Sequence, residues 1–246
     1  MTQPFVPVPT GDGSSTFFSD TFGEWFHSRE GAVAEAEQTY VAVTRLAELA
    51  NGPQVALLDV CYGLGYNSAA ALATIWRVNP DCRVTLWALE LEAEVPRAAI
   101  AQHLVAPWPQ TIQQTLQALA FNHQHQTPRL TAQLLIGDAR QRLSDIQHWQ
   151  ADAIFLDPFS PTRCPQLWTV EFLAQVMARL KPTGRLATYS CAAAVRAAFL
   201  ELGLNIGATP AAGRQWPGTV ASFTETDLPA LSPREQAHLR TRAAVT

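Results

Sequence analysis

The apolar positions of this chain alternate between short continuous runs and longer stretches with helical spacing. The first clear run is Val55–Val60 (VALLDV), which carries Asp59 near its end. A turn with Gly63 and Gly65 follows, then an alanine-rich helical segment from Asn67 to about Val78, ended by Asn79-Pro80. Val84–Leu89 leads to Glu90, Leu130–Ile136 to Gly137-Asp138, and Ala153–Leu156 to Asp157, while Arg185–Tyr189 makes a fifth run. Such runs are strands, and strand, helix, strand in this order requires right-handed parallel crossovers. Helices are expected from about Ala139 to Trp149, from about Gln166 to Leu180 with a stop at Lys181-Pro182-Thr183-Gly184, and from Ala192 to Leu202. Two late strands, Leu204–Ala208 and Thr219–Phe223, flank a Gly/Pro-rich turn that contains Arg214. The expected fold is α/β: a Rossmann-like, doubly wound, mostly parallel seven-stranded sheet whose last strand is antiparallel.

Residues 17–226 read as one domain, with a helical insertion over about 94–128. An extended lead-in covers 1–16, where prolines at positions 4, 7 and 9 disfavour a helix. A tail covers 227–246, and in it Ser232 with Glu235 forms a capping box around Pro233, the signature of a short helix. A further helix is expected from about Ala32 to Ala50, with Val33, Tyr40, Val43 and Leu46 on one face and Asn51-Gly52-Pro53 as its stop. The aromatics before it (Phe17, Phe18, Phe22, Trp25, Phe26) read first as a cap over one end of the sheet, and a pocket wall is compatible with that position.

With 246 residues and 48% hydrophobic content the chain can bury a sizeable core. Its net charge of -4 gives no global reason to expect nucleic-acid binding, and because Lys181 is the sole lysine, any cationic contact comes from arginine. Cys61, Cys82, Cys164 and Cys191 are too scattered for a disulfide framework or a metal site, and His123 and His125 read as part of a polar loop. No signal-peptide pattern opens the chain, and no apolar run approaches the roughly 20 residues of a membrane span. A cytoplasmic protein with neither membrane nor metal partner is expected.

The strand, glycine turn and helix start at Val55–Ser68 form a place where a ligand can approach the backbone and meet free N–H groups. Gly63-x-Gly65-x-x-Ser68 matches a dinucleotide fingerprint only partly, so the surrounding residues must decide between nucleotide cofactors. Asp59, Glu90 and Asp138 fall at the carboxyl ends of successive strands, where a doubly wound sheet opens its ligand crevice. Carboxylates there would repel a pyrophosphate and suit a ligand with ribose hydroxyls, an exocyclic amine and a positive charge. S-adenosyl-L-methionine has those features. On this reading Glu90 holds the ribose and Asp138, with Ala139 beside it, the adenine amine. Asp59 and the loop residues Tyr62, Gly63, Gly65 and Asn67 take the methionine end. The bland alternative makes each acid a helix cap or a solvated strand end.

Asp157-Pro158-Phe159 supplies the candidate chemistry. Methyl transfer to nitrogen needs an unprotonated lone pair aimed at the sulfonium methyl, so the protein must orient an amine and tolerate its proton loss. Asp157 can accept an N–H, the backbone carbonyl next to it can take a second, Pro158 stiffens the turn, and Phe159 offers a ring face to a base or a cationic methyl. An Asp-Pro pair after a strand is also an ordinary turn signal.

The run DAIFLDPFSPTRCPQLWTVEFLAQVMARLKPTGRLATYSCAAAVRAAF resembles the methyltransferase domain of MnmC-type tRNA-modifying enzymes. The matching elements are Asp157-x-Phe159-Ser160-Pro161, the downstream proline and Leu167-Trp168, the Pro182-x-Gly184-x-Leu186-Ala187-Thr188 strand entry, and Val195-Arg196. FGEWFHSREGAVAE and YGLGYNS extend the similarity over roughly Ser15–Phe223. The resemblance implies S-adenosyl-L-methionine-dependent methylation of the aminomethyl group of 5-aminomethyl(-2-thio)uridine at the tRNA wobble position, with the anticodon loop as partner. It implies Asp157 as the catalytic residue, Glu90 and Asp138 as cofactor ligands, Gly63 and Gly65 as the loop, and Glu35 near the site. Arg214, read from the sequence alone, could contact a substrate phosphate, although surface arginines are usually just solvated. The family commonly has an arginine where this chain has Glu37, and a basic cluster where Gly213-Arg214 here precedes Gln215-Trp216. The FAD-dependent domain fused to many family members has no counterpart in these residues, so the aminomethyl substrate is expected from another enzyme.

Three other readings stand beside this one. A methyltransferase of a small amine is favoured by the pI of about 5.8. An NAD(P)-dependent oxidoreductase lacks an evident hydride-site residue set, and a non-catalytic nucleotide-binding module would have no use for Asp157.

Overall fold

The computed structural model describes residues 5–211 and 217–241. Eight strands build its central sheet: β1 (Gln54–Val60), β2 (Arg83–Glu90), β3 (Gln124–Thr127), β4 (Leu130–Ile136), β5 (Ala151–Leu156), β6 (Leu180–Thr188), β7 (Asn205–Ala208) and β8 (Thr219–Ser222). Their spatial order is β7-β8-β6-β5-β1-β2-β4-β3. The five central strands pair in parallel, whereas β8 runs antiparallel between β6 and β7. Order reverses between β1 and β5, and there the diverging connections open a crevice at the strands' carboxyl ends.

Both faces of β1 are buried. Leu57 packs with Tyr40 and with Ala70, Leu72 and Ile75 of helix α1 (Tyr66–Val78), while Leu58 and Val60 belong to the core that holds Phe172, Leu173 and Val176 of helix α4 (Val170–Met177). This two-sided burial explains why β1 reads as a continuous apolar run. Between β2 and β3 lie helices α2 (Glu94–Ala101) and α3 (Gln110–Asn122).

The sheet has eight strands and not seven, because the end of the expected helical insertion forms β3. Its sequence, Gln-His-Gln-Thr, has no apolar residue, and it pairs antiparallel with β4 at the sheet edge, where its side chains are half-buried or exposed. Lys181-Pro182-Thr183-Gly184 does not separate a helix from a strand. It sits inside β6 as a register shift between Leu180 and Arg185. Gly184 allows that close passage, since a Cβ would come within 3.0 Å of the Asp152 and Ala151 carbonyls. The helix after Asp138 is a single turn (Ala139–Arg142) followed by a 3-10 turn (Leu143–Asp145). The expected helix over Ala32–Ala50 divides into an α turn (Ala32–Glu35), a π turn (Ala36–Val41) and, after Arg45 at φ 56°, a last α turn (Leu46–Leu49). Before it, Phe18–Ser19 and Glu24–Trp25 pair as a small antiparallel hairpin.

Candidate active site

A cavity of about 1190 Å³ opens at the carboxyl ends of β1, β2 and β5. Tyr62, Gly63, Glu90, Asp138, Ala139, Asp157, Pro158 and Phe159 all line it. Asp59, Gly65, Asn67 and Glu35 stand buried behind that wall. Arg214, with its neighbours Gly213, Gln215 and Trp216, lies outside the described residues. The aromatic cluster does more than cap the sheet: Phe18, Phe22, Trp25 and Phe26 are themselves cavity wall, and only Phe17 is fully buried core.

The glycine loop is shaped by its own contacts. Gly65 caps α1 at φ 84°, and a Cβ there would meet the Tyr62 hydroxyl at 2.5 Å, so no other residue fits. Cys61 enters the loop at φ 70°, a left-handed conformation uncommon outside glycine. The Gly63 N–H donates to Glu90 Oε2 at 2.8 Å, and the Glu92 N–H donates to Glu90 Oε1 at 3.0 Å. Glu90 therefore ties the end of β2 to the loop after β1. Burial pushes its carboxyl above the ordinary glutamate range, and the two N–H donors pull the other way.

Asp157 is held from both sides. The Tyr40 hydroxyl donates to Oδ1 at 2.5 Å and the Asn67 amide donates to Oδ2 at 2.9 Å. One partner comes from the π turn and the other from the first turn of α1, so the carboxylate is fixed by two elements distant in sequence. The carbonyl after it is already engaged: the Tyr189 hydroxyl donates to the Pro158 oxygen at 2.9 Å. Phe159 lies stacked on Phe22 at 4.4 Å and meets the edge of Phe26 at 5.1 Å, and the Trp168 indole N–H holds its carbonyl at 2.8 Å. The result is an oriented acceptor beside an aromatic wall.

Asp138 caps the turn after β4 and forms a bidentate pair with Arg140, whose guanidinium keeps the carboxyl below the ordinary aspartate range. Sequence reasoning left Tyr40 as a core residue and gave Asn67 to the cofactor. A phenol among apolar neighbours needs a partner for its hydroxyl, and that was the available signal for Tyr40. His27 was also missed. It lines the cavity, stacks on Tyr66 at 5.1 Å and places Nδ1 3.6 Å from Glu35 Oε2.

Asp59 is fully buried, with Oδ2 accepting the Ser68 hydroxyl at 2.6 Å and Oδ1 lacking a hydrogen-bond partner among the described residues. Burial raises its carboxyl to about 7, Ser68 opposes the shift, and nearby Asp157 adds to it. A raised carboxyl stabilises the fold fully below its unfolded value of about 4 and loses that contribution as pH climbs towards 7. Relative to Asp59→Asn, the wild-type unfolding free energy should therefore fall by on the order of 1 kcal/mol per pH unit across this window. Urea unfolding of both proteins at several pH values tests it, and parallel profiles would mean that Asp59 titrates normally.

These features suit the cofactor expected from the sequence. Glu90 offers carboxylate oxygens at the end of β2, the glycine loop brings bare backbone to the cavity, and Asp138 and Ala139 form part of its wall. Among the described residues no cluster of metal-ligating side chains is present, and no helix is long and apolar enough to cross a membrane.

Residues 84–224, more than half of the chain, match the family of S-adenosyl-L-methionine-dependent methyltransferases. The tRNA 5-methylaminomethyl-2-thiouridine biosynthesis bifunctional protein MnmC of Cupriavidus necator is 30% identical over 231 residues, which are 90% of this chain and 35% of that protein. The uncharacterized protein MJ0670 of Methanocaldococcus jannaschii is 29% identical, over 90% of this chain and 60% of its own length. The chain thus spans about a third of the first relative and less than two thirds of the second. The crystal structure of MNMC2 from Aquifex aeolicus superposes with a TM-score of 0.82 and 32% identity, covering 98% of this chain and 77% of that one. At this coverage and identity the chain belongs to the S-adenosyl-L-methionine-dependent methyltransferases, as a methyltransferase domain of the MnmC type.

Proposed function

We propose that this chain methylates the primary amine of the aminomethyl group on 5-aminomethyl(-2-thio)uridine at the wobble position of tRNA. The observation that carries this reading is the fixed carboxylate of Asp157 on the cavity wall, backed by Tyr40 and Asn67 and flanked by the Phe159 ring. The reaction named for the MnmC relatives supports it.

Bound S-adenosyl-L-methionine supplies an electrophilic methyl group on a sulfonium. The chain's own residues do the rest. Asp157 accepts an N–H of the incoming amine, which aims the lone pair and favours loss of the proton as the new C–N bond forms. Because Tyr40 and Asn67 hold both oxygens, the carboxylate does not rotate to follow solvent. Phe22, Phe26 and Phe159 pack on one another along the cavity wall and shield the site from water. Glu90 holds the ribose hydroxyls, and Asp138 and Ala139 border the adenine.

A second reading, methylation of a small polyamine, is favoured by the acids Asp20, Glu24, Glu92 and Glu94 along the cavity. One experiment separates the two. The purified protein is incubated with methyl-labelled S-adenosyl-L-methionine and either aminomethyluridine-bearing tRNA or spermidine, and the tRNA is then digested to nucleosides. Label in the wobble nucleoside is the expected result. Label in the polyamine alone would replace the leading reading by the second.

A further inference from the structure

We infer that the cavity wall carries a two-part stacking clamp for unpaired bases next to the target nucleotide, formed by Phe18 and Trp25 from one element and Phe121 from another. The inference rests on the RNA reading above and goes beyond the target base to its neighbours.

Singly exposed apolar side chains are ordinary on a protein surface, but aromatic rings on the wall of a ligand cavity are placed to meet what enters it. Here Phe18 is 41% exposed and Phe121 50% exposed, and both line the cavity. They come from unrelated elements: Phe18 and Trp25 from the two strands of the N-terminal hairpin, Phe121 from the end of α3. Phe18 and Trp25 brace each other edge to face at 5.0 Å, which leaves ring surface available at low entropic cost.

Each part also has an arginine near it. The Arg29 guanidinium lies 5.1 Å over the Trp25 ring, and Arg97 Nε donates at 3.2 Å to the Ala120 carbonyl, one residue before Phe121. Because Arg29 covers a face of Trp25, Trp25 serves there as the brace and Phe18 as the ring that stacks on a base, with a guanidinium close by for the phosphate, an arrangement suited to single-stranded nucleic acids. A double helix, with its bases already stacked, gains nothing from it. A loop does.

Charge supports stacking as the main source of affinity. The chain has a net charge of -4, and of the cavity acids Glu94 is offset by Arg97 at 3.0 Å, whereas Glu24, hydrogen-bonded by the Ser160 amide and hydroxyl, keeps its charge. Phosphate neutralisation on such a surface is slight, so binding should depend weakly on salt.

The test uses the whole chain and an unmodified RNA stem-loop with a seven-nucleotide loop, followed by fluorescence anisotropy across a salt series, with a blunt duplex of equal length as control. Phe18→Ala and Phe121→Ala should each weaken stem-loop binding by about 5- to 100-fold. Affinity for S-adenosylhomocysteine, read by calorimetry, should stay unchanged and thereby report an intact fold. Arg29→Ala and Arg97→Ala should reduce the already shallow salt slope, which the phenylalanine variants should leave in place. Stem-loop binding that survives both phenylalanine substitutions would overturn the clamp while leaving the RNA reading intact. Equal affinity for stem-loop and duplex would overturn it as well. If wild type binds no RNA, the clamp falls together with the reading on which it rests.

Discussion

Asp157→Ala is expected to retain affinity for S-adenosylhomocysteine while losing turnover by about 100- to 10,000-fold, the usual worth of a positioned proton acceptor. On the proposed reading the two readouts separate because Asp157 meets the amine, whereas the cofactor's expected contacts come from Glu90 and the loop after β1. Asp157→Asn is the sharper variant. It keeps the size of the side chain and one acceptor oxygen for Tyr40 or Asn67, yet it withdraws the negative charge that favours proton loss. Tyr40→Phe removes only a hydroxyl 2.5 Å from Oδ1 and should fall between wild type and Asp157→Asn, with its loss in kcat and not in KM. Calorimetry and single-turnover rates on the same preparations check this. Parallel loss of binding and turnover in Asp157→Ala would reassign the residue to the architecture of the cofactor pocket.

Much of this site was legible because parallel strands buried on both faces write themselves as apolar runs, and a doubly wound sheet places its ligands at their carboxyl ends. Glu90 and Asp157 could be located from that rule alone, and both line the cavity. Asp59 obeyed the same rule but lies behind the wall, because β1 is central and its last residues are covered by α1; Ser68, from the first turn of that helix, is its partner. Asp138 was placed correctly at the end of β4, yet Arg140, two residues on, is its bonded neighbour, a local pair that strand-end reasoning ignores. The pattern was least informative where pairing, not burial, decides structure. Gln124–Thr127 becomes a strand because the edge of β4 offers it a backbone ladder, and Lys181–Gly184 stays within β6 because the ladder resumes at Arg185. Tyr40 illustrates a third kind of gap. Its helical face was correctly read as buried, but its hydroxyl reaches a residue 117 positions away, and nothing in local spacing encodes that distance.

Glu90→Gln is expected to weaken S-adenosylhomocysteine binding by about 10- to 100-fold, and Glu90→Ala by more. The residue has two tasks that the variants separate. Its Oε2 receives the Gly63 N–H, which a glutamine oxygen can still do, so the loop after β1 should keep its shape in the Gln variant and loosen in the Ala variant. On the proposed reading its charge also strengthens hydrogen bonds to the ribose hydroxyls, and that part is lost in both. Burial holds the Glu90 carboxyl above its ordinary range, so acidification should protonate it and weaken wild-type binding. Glu90→Gln, already neutral, should lack that acid limb. A cofactor analogue with 2′-deoxyribose isolates the contact: wild type should bind it less tightly than the ribose form, while Glu90→Gln should show little preference between the two. Were the variant to discriminate the two sugars as strongly as wild type, the hydroxyls would be held elsewhere. Glu90 would then be a brace for the glycine loop, acting on the cofactor only through Gly63.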